Sequence, residues 1–317
     1  MKNKKIDGAQ RKKPFAVRYK NEIRAYTLLA IPLLWWIVFF LVAFVMVIVF
    51  SFTDISLSIA TLRSFTLDNY RAIFNRNSPL YDGVFWQSIK VSGIWMIFTT
   101  IGGNLGGLII AFLLSRIAKG KRLLLCLLYW PALMSAVVGS KILEYLFESG
   151  HTGFVNAFLL SCNLIQEPIS WFNNESTALW ALMSTSVFLG YSGSLLIYYA
   201  AILGVPGEFY EAASLETDSK LKMYIYITLP LIWNAIIINL ILSLSNGFKV
   251  LGPMQLITEG NPNNSTMSAV LYIYELGIKG NMMGQACANA MVVFVILMVI
   301  SVVQMKINQK NGERGYE

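Results

Sequence analysis

Residues 33–50 carry no charged side chain and no polar one outside two tryptophans, and this run constrains the fold more than any other feature of the chain. A helix needs about 20 predominantly apolar residues to cross the hydrocarbon core of a bilayer. Six segments meet that requirement: 25–51, 89–115, 122–143, 178–203, 229–249 and 285–305. The first, third and sixth are the clearest. The second, fourth and fifth are diluted by Gly, Ser, Thr and Asn. Only 13% of the 317 residues are charged, against about 25% in soluble domains, and the mean hydropathy is +0.58. The pattern predicts an all-α membrane protein with six transmembrane helices.

Charge placement orients them. Residues 1–24 hold nine Lys or Arg, the connection between segments two and three holds Arg116, Lys119, Lys121 and Arg122, and the next connection on that side holds Lys220 and Lys222. The tail adds Lys306, Lys310 and Arg314, whereas the loop 144–177 has neither Lys nor Arg. Because basic residues accumulate on the cytoplasmic side, both termini are expected in the cytoplasm, which agrees with an even number of spans. The net charge of +8 is therefore topogenic rather than a nucleic-acid footprint. The basic start followed by an apolar run resembles a signal peptide, but the run is too long for a typical one and no small-x-small cleavage site follows Phe50. A retained first helix is the reading.

Several chemistries are excluded. Cys126, Cys162 and Cys287 have no metal or redox spacing, and a single His151 gives no basis for a histidine metal site. No G-x-x-x-x-G-K-[ST] occurs, so the chain lacks the usual phosphate cradle of an ATPase. None of the loops on the outer side is long enough for a large extra domain.

Between segments four and five lies a polar stretch, 205–230. Pro206 suits the first turn of a helix, and Glu208 and Glu211 then fall near its positive N-terminus. Ala212 and Ala213 present little bulk, and Leu215 adds an apolar knob. A break near Thr217–Ser219 would separate this helix from a second one over 220–227. Composition alone favours an ordinary amphipathic connector.

An ordered set of segments resembles the carbohydrate-type permeases of ABC importers, the group that includes the maltose and glycerol-phosphate permeases. Ser51-Phe52-Thr53-Asp54 follows the first span, then Asn69-Tyr70, and Phe85-Trp86 enters the second. Val205-Pro206-Gly207-Glu208-Phe209-Tyr210-Glu211-Ala212-Ala213 resembles the start of the EAA loop, and Ile227-Thr228-Leu229-Pro230 its end. Leu256 to Pro262, Thr266, Tyr272-Ile273-Tyr274 and Gly284-Gln285-Ala286 complete the likeness, which runs from about residue 25 to 306. Two positions depart from the pattern. Glu216-Thr217 stands where the family usually has Asp-Gly, and Asn261 replaces a usual Gly. Gly eases a sharp turn through positive φ, which β-branched Thr217 tolerates poorly. Capping of the following helix by Asp218 or Ser219 is the expected alternative.

The resemblance implies a type I importer permease with a cytoplasmic coupling helix in a bacterial or archaeal inner membrane. Its organisation would be a basic segment 1–24, a permease domain 25–306 with the coupling loop at 205–230, and a tail 307–317. Glu208, Glu211, Ala212, Ala213, Leu215 and Thr217 would meet an ATPase subunit, with Glu211 making an ionic contact. The implied partners are a second homologous permease, two ATPase subunits and an extracytoplasmic solute-binding protein. The substrate would be a sugar, the surroundings membrane lipid, and no nucleic acid is involved. The chain itself would bind no cofactor and catalyse no reaction; ATP and magnesium belong on the partner subunits.

Polar residues inside spans are costly and usually face a bundle interior or a cavity. Aligned through the EAA loop, Ser186, Gly190 and Gly193 on the fourth span and Ser243 and Gly247 on the fifth fall where the maltose permease lines its sugar site, with Asn246 adjacent. Helix packing through small residues is the competing explanation, for Gly190 and Ser194 and for Gly102-Gly103 with Gly106-Gly107. Ser135, Ser140, Trp130 and Pro131 on the third span and Asn289 on the sixth are further polar or kink-forming positions. Trp35, Trp36, Trp86, Trp180 and Tyr272 read as interface anchors, and Lys141 and Glu144 as a local ion pair. The alternative function is an ion-gradient-driven secondary transporter. The absence of Asp from all six segments argues against it.

Overall fold

A computed structural model describes residues 20–56, 64–78, 81 and 83–313. Most of the basic segment 1–24 and the end of the tail, with Arg314, lie outside the described residues. What is described is helical, apart from a single antiparallel bridge between Thr53 and Phe65.

The first apolar segment is a near-continuous rod: α1 (Lys20–Trp36), a π turn (Ile37–Leu41) and α2 (Val42–Ser51). Every residue from Tyr26 to Met46 is exposed. In water such a surface would be a liability; against lipid it is the ordinary outer face of a span. The far end of the rod is tied down. There Asn69 on α3 (Asp68–Phe74) donates to the Ser51 and Thr53 carbonyls at 3.1 and 2.9 Å, and Tyr70 donates to Ser51 Oγ. The chain then enters α4 (Val84–Ser115), the central helix of the bundle.

The third segment is not the single helix expected. It is α5 (Lys121–Tyr129), a short 3₁₀ turn (Trp130–Leu133) and α6 (Ala136–Leu146), with a 95° bend between the two arms. Pro131 has no N–H to continue the ladder, and Met134 and Ser135 take extended conformations. Ser135 then restarts the helix as its N-cap, accepting from Val138 N at 3.3 Å. The loop that follows contains α7 (Phe154–Ser161) and closes around Asn156. That fully buried amide donates to the Glu148, Gly150 and Ile169 carbonyls and accepts from Trp171 Nε1.

The fourth segment is α8 (Glu175–Leu203), capped by Asn174. After it come α9 (Gly207–Ser214), α10 (Lys220–Met223), a π turn (Tyr224–Thr228), α11 (Leu229–Leu231) and α12 (Trp233–Phe248). The fifth segment is thus helical from residue 220 and bends by 69° at Ile232, two residues past Pro230, rather than starting at 229. A further π turn (Met254–Thr258), α13 (Ala269–Tyr274), a last π turn (Glu275–Lys279) and α14 (Met283–Glu313) complete the chain. Among the described residues four unbroken helices are long and apolar enough to cross a membrane, and the two bent pairs raise that number to as many as six.

Packing centres on α4, which runs against α8 along its length and also meets α12 and α13. Small residues permit this. A β-carbon on Gly107 would lie 2.6 Å from Ser194 Cβ, and one on Gly102 2.7 Å from a Val187 methyl. The packing explanation therefore holds for Gly102 and Gly107. One apolar cluster sits at each end of α4: Val91 and Trp95 with Leu182, Met183 and Leu271, and Ala111 and Leu114 with Leu195, Tyr198 and Ile236. Two of the aromatic anchors are reassigned. Tyr272 is buried against Phe85, and half-buried Trp86 donates its indole N–H to the Ile73 carbonyl at 2.8 Å. Trp35, Trp36 and Trp180 are exposed, and Lys141 pairs with Glu144 at 2.6 Å.

Candidate transport cavity and coupling helix

Between the two apolar clusters α4, α8 and α12 turn polar side chains toward one another. A cavity of about 250 Å³ lies there. Ser186 and Gly190 of α8 line it from one side, and Ser243, Asn246 and Gly247 of α12 from another. Five of the six residues named from sequence thus share one cavity. Gly193 does not line it. A β-carbon on Gly190 would meet nothing within 4 Å, so Gly190 is not held small by packing inside this chain. Gly247 is different, since its β-carbon would press on Met96 Cα at 3.1 Å.

The residue that organises this region is Asn104 on α4, only 6% exposed. Its Nδ2 donates to the Thr100 carbonyl at 2.7 Å and to Ser243 Oγ at 3.1 Å. Its Oδ1 accepts from Asn239 Nδ2 at 2.8 Å and from the Tyr198 hydroxyl. An amide offers two donor hydrogens and one twofold acceptor, so Asn104 has no capacity left for a ligand. It joins three helices, and it fixes Ser243 as an acceptor toward α4, leaving that hydroxyl's own hydrogen for the cavity. Thr100, 4% exposed, lines the same cavity with its Oγ1 unpartnered among the described residues. Trp95 closes one end with an aromatic ring.

Sequence reasoning missed Trp95, Thr100 and Asn104. A signal for Asn104 existed: one amide between Gly102-Gly103 and Gly106-Gly107 marks a helix approached closely enough to bury it. Ser186 and Gly190 also line a second cavity of about 220 Å³, which extends to the α5–α6 elbow and touches Pro131, Ser135 and Ser140. Ser140 is 4% exposed with an unpartnered hydroxyl. Trp130 is exposed and lines neither cavity, and Asn289 on α14 is buried with neither amide atom paired among the described residues.

At one end of the bundle, α9 stands out from the spans. Glu208, Glu211 and Ala212 are exposed and Ala213 is half-buried. Leu215, just past the helix end, is 89% exposed. Neither glutamate is ion-paired among the described residues. Thr217 does not take a positive φ. Instead its hydroxyl accepts from Ser219 N at 3.2 Å, and Ser219 Oγ caps α10 by accepting from Lys222 N. Tyr210 on α9 and Thr228 hydrogen-bond at 2.9 Å, which holds α9 to the start of the bent fifth segment.

No protein-family model matches the sequence. The chain is 31% identical over 244 residues to the probable ABC transporter permease YesP of Bacillus subtilis (strain 168), covering 76% of each. The chain belongs to the carbohydrate-type ABC-importer permeases. A second relative of this permease is the arabinooligosaccharides transport system permease AraP of the same organism, 27% identical over 291 residues, 92% of this chain and 90% of AraP. Among solved structures the permease resembles a chain of a bacterial alginate ABC transporter, determined in complex with an alginate pentasaccharide-bound periplasmic protein. The TM-score is 0.80 at 18% identity, over 94% of this chain and 98% of that one, which shows a shared fold. The permease is a membrane protein, and its relatives are sugar-transport components rather than enzymes.

Proposed function

We propose that this permease is one membrane subunit of an ATP-driven, binding-protein-dependent importer for a sugar or oligosaccharide in a bacterial or archaeal cell membrane. Each bent pair counts as one span, giving six, with both termini and the 205–230 loop in the cytoplasm. Glu208, Glu211, Ala212, Ala213, Leu215 and Thr217 form the contact with an ATPase subunit, and ATP and magnesium bind there, not here. A second permease of the same fold completes the pore, and an extracytoplasmic binding protein delivers the sugar. Ser186, Gly190, Ser243, Asn246 and Gly247 line the path, with Gly193 on the next turn of α8.

One observation carries the coupling part of this reading: a short helix with unpaired carboxylates and a nearly naked leucine projects from the bundle. Solvated carboxylates and one exposed leucine cost little in water, so this surface can stand open until another protein seats on it. ATP binding then closes the ATPase pair, draws α9 of each permease together and biases the spans toward the outward-facing state. A ligand shifts such an equilibrium only by its difference in affinity for the two states.

Reconstitution tests the proposal. Vesicles holding the permease pair, the ATPase subunits and the binding protein should accumulate labelled oligosaccharide only with ATP and magnesium inside the compartment facing the ATPase. Accumulation driven by a proton or sodium gradient, without ATPase subunits, would overturn it in favour of a secondary transporter.

A further inference from the structure

We infer that the permease carries a phosphate-anion site between the α9 helix and the ends of α4 and α8, occupied in the membrane by the headgroup of an anionic phospholipid. The inference rests on the sidedness proposed above.

A cavity of about 380 Å³ lies here, larger than either of the mid-span cavities. Two cations line it, Arg116 from the end of α4 and Lys220 from the start of α10, and no carboxylate does. The ion pairs among the described residues are Asp68–Arg71, Lys141–Glu144 and Glu275–Lys279, so neither cation is neutralised. Arg116 is nevertheless positioned: its guanidinium lies 4.2 Å from the Phe112 ring centroid, and this stacking leaves the edge N–H groups for an anion. Ser115, Tyr210 and Thr228 add hydroxyls to the same lining.

The rest of the wall is apolar, with Phe112 and Leu203 among its members, and Leu203 is exposed. Two unpaired cations in an otherwise largely apolar lining match a phosphodiester with acyl chains better than a free ion. Basic pockets between spans on the cytoplasmic face are a recognised way to hold anionic headgroups. An ordinary basic residue at a span end needs no pocket, and Lys119 and Arg122 line none of the cavities described. Tyr210 places α9 itself in the wall, so an occupant braces the coupling helix against the span it moves.

The test uses the whole complex purified from membranes in mild detergent. Native mass spectrometry should find phosphatidylglycerol retained, and Arg116→Gln with Lys220→Gln should lower that retention at least about fivefold, in the range of a coupling of 1–3 kcal/mol. Returning phosphatidylglycerol, but not phosphatidylcholine, to delipidated wild type should raise its melting temperature and leave the double variant unchanged. A rise with millimolar inorganic phosphate alone would keep the anion site and assign it to soluble phosphate. Equal lipid retention by both proteins would overturn the site. So would a double variant that loses ATPase subunits with no lipid or phosphate effect, which would pair these cations with carboxylates of the ATPase. Because the readout is lipid retention rather than uptake, failure of this site leaves the transport proposal intact.

Discussion

The middle of the bundle and the α9 loop treat polar groups in opposite ways. At mid-span Asn104 uses every hydrogen-bonding position it has on Thr100, Ser243, Asn239 and Tyr198, all within this chain. In the α9 loop Glu208 and Glu211 stand exposed without an ion partner, and Leu215 is almost bare. In lipid an unsatisfied amide costs free energy, so the path must be finished during folding. In water an unpaired carboxylate is solvated and costs little, so the loop can wait for a partner. Substitutions at Asn104 and its partners should therefore register first in stability, and substitutions in the loop first in transport.

The sharpest break comes from reversing charge in the loop. Glu211→Lys should leave membrane insertion and melting unchanged while cutting ATP-driven uptake roughly a hundredfold, the upper end of a coupling free energy of about 1–3 kcal/mol. Uptake of labelled sugar, set beside the amount of permease in the membrane fraction, checks it. A destabilised protein with normal specific uptake would erase the contrast between the two regions.

Next in size are two glycines on facing helices. A side chain on Gly107 would enter the backbone of α8 at Leu195 N, 2.8 Å from its β-carbon. Gly107→Val should therefore cost about 3 kcal/mol, the upper part of the overpacking range, read as a lowered melting temperature in detergent. Gly190→Ala meets nothing within 4 Å and should melt as wild type or slightly higher, since Gly weakens a helix by about 0.5–1 kcal/mol relative to Ala. Its effect should fall on the apparent KM for sugar. If Gly190→Ala instead lowered melting and spared KM, the packing explanation would be right for α8 too.

Asn104→Leu sits between the regions in kind. It removes three side-chain bonds to other helices, and at about 0.6 kcal/mol each in a membrane interior the loss is about 2 kcal/mol. The same change frees Ser243 from its donor, so sugar affinity should shift as well. Asn239→Ala, which breaks one of these bonds outside the cavity lining, should lower stability less and leave KM alone.

Much of the architecture is legible in the sequence, because apolar length reports directly on a bilayer. The bends are legible only in part. Hydropathy scored 122–143 among the clearest spans precisely where Pro131 and Ser135 break it, since a helix-breaking proline and a capping serine barely alter an average. The second span shows the converse error. Its glycines are legible as packing positions, but Thr100 and Asn104 lower the score and look like dilution, although they line the cavity where α8 and α12 meet α4. Tyr272 was misread because an aromatic residue near a span end looks the same in sequence whether it faces headgroups or the Phe85 ring.

The smallest effect concerns Thr217, where the family's usual glycine is missing. The turn needs no positive φ here, because Thr217 Oγ1 accepts from Ser219 N and Ser219 in turn caps α10. Thr217→Gly therefore removes one exposed hydrogen bond and adds backbone freedom, a cost below about 1 kcal/mol. Uptake should stay within about twofold of wild type, because Glu211 and Leu215 remain on the same short helix. Ser219→Ala removes the cap, typically worth about 1 kcal/mol, and should loosen the start of α10 more than Thr217→Gly does, read as faster amide exchange at Lys222. Equal exchange in both variants would mean that the turn is held by the hydrogen bonds of Glu216 and Thr217 N–H to the Ala213 carbonyl, and that its hydroxyls only decorate it.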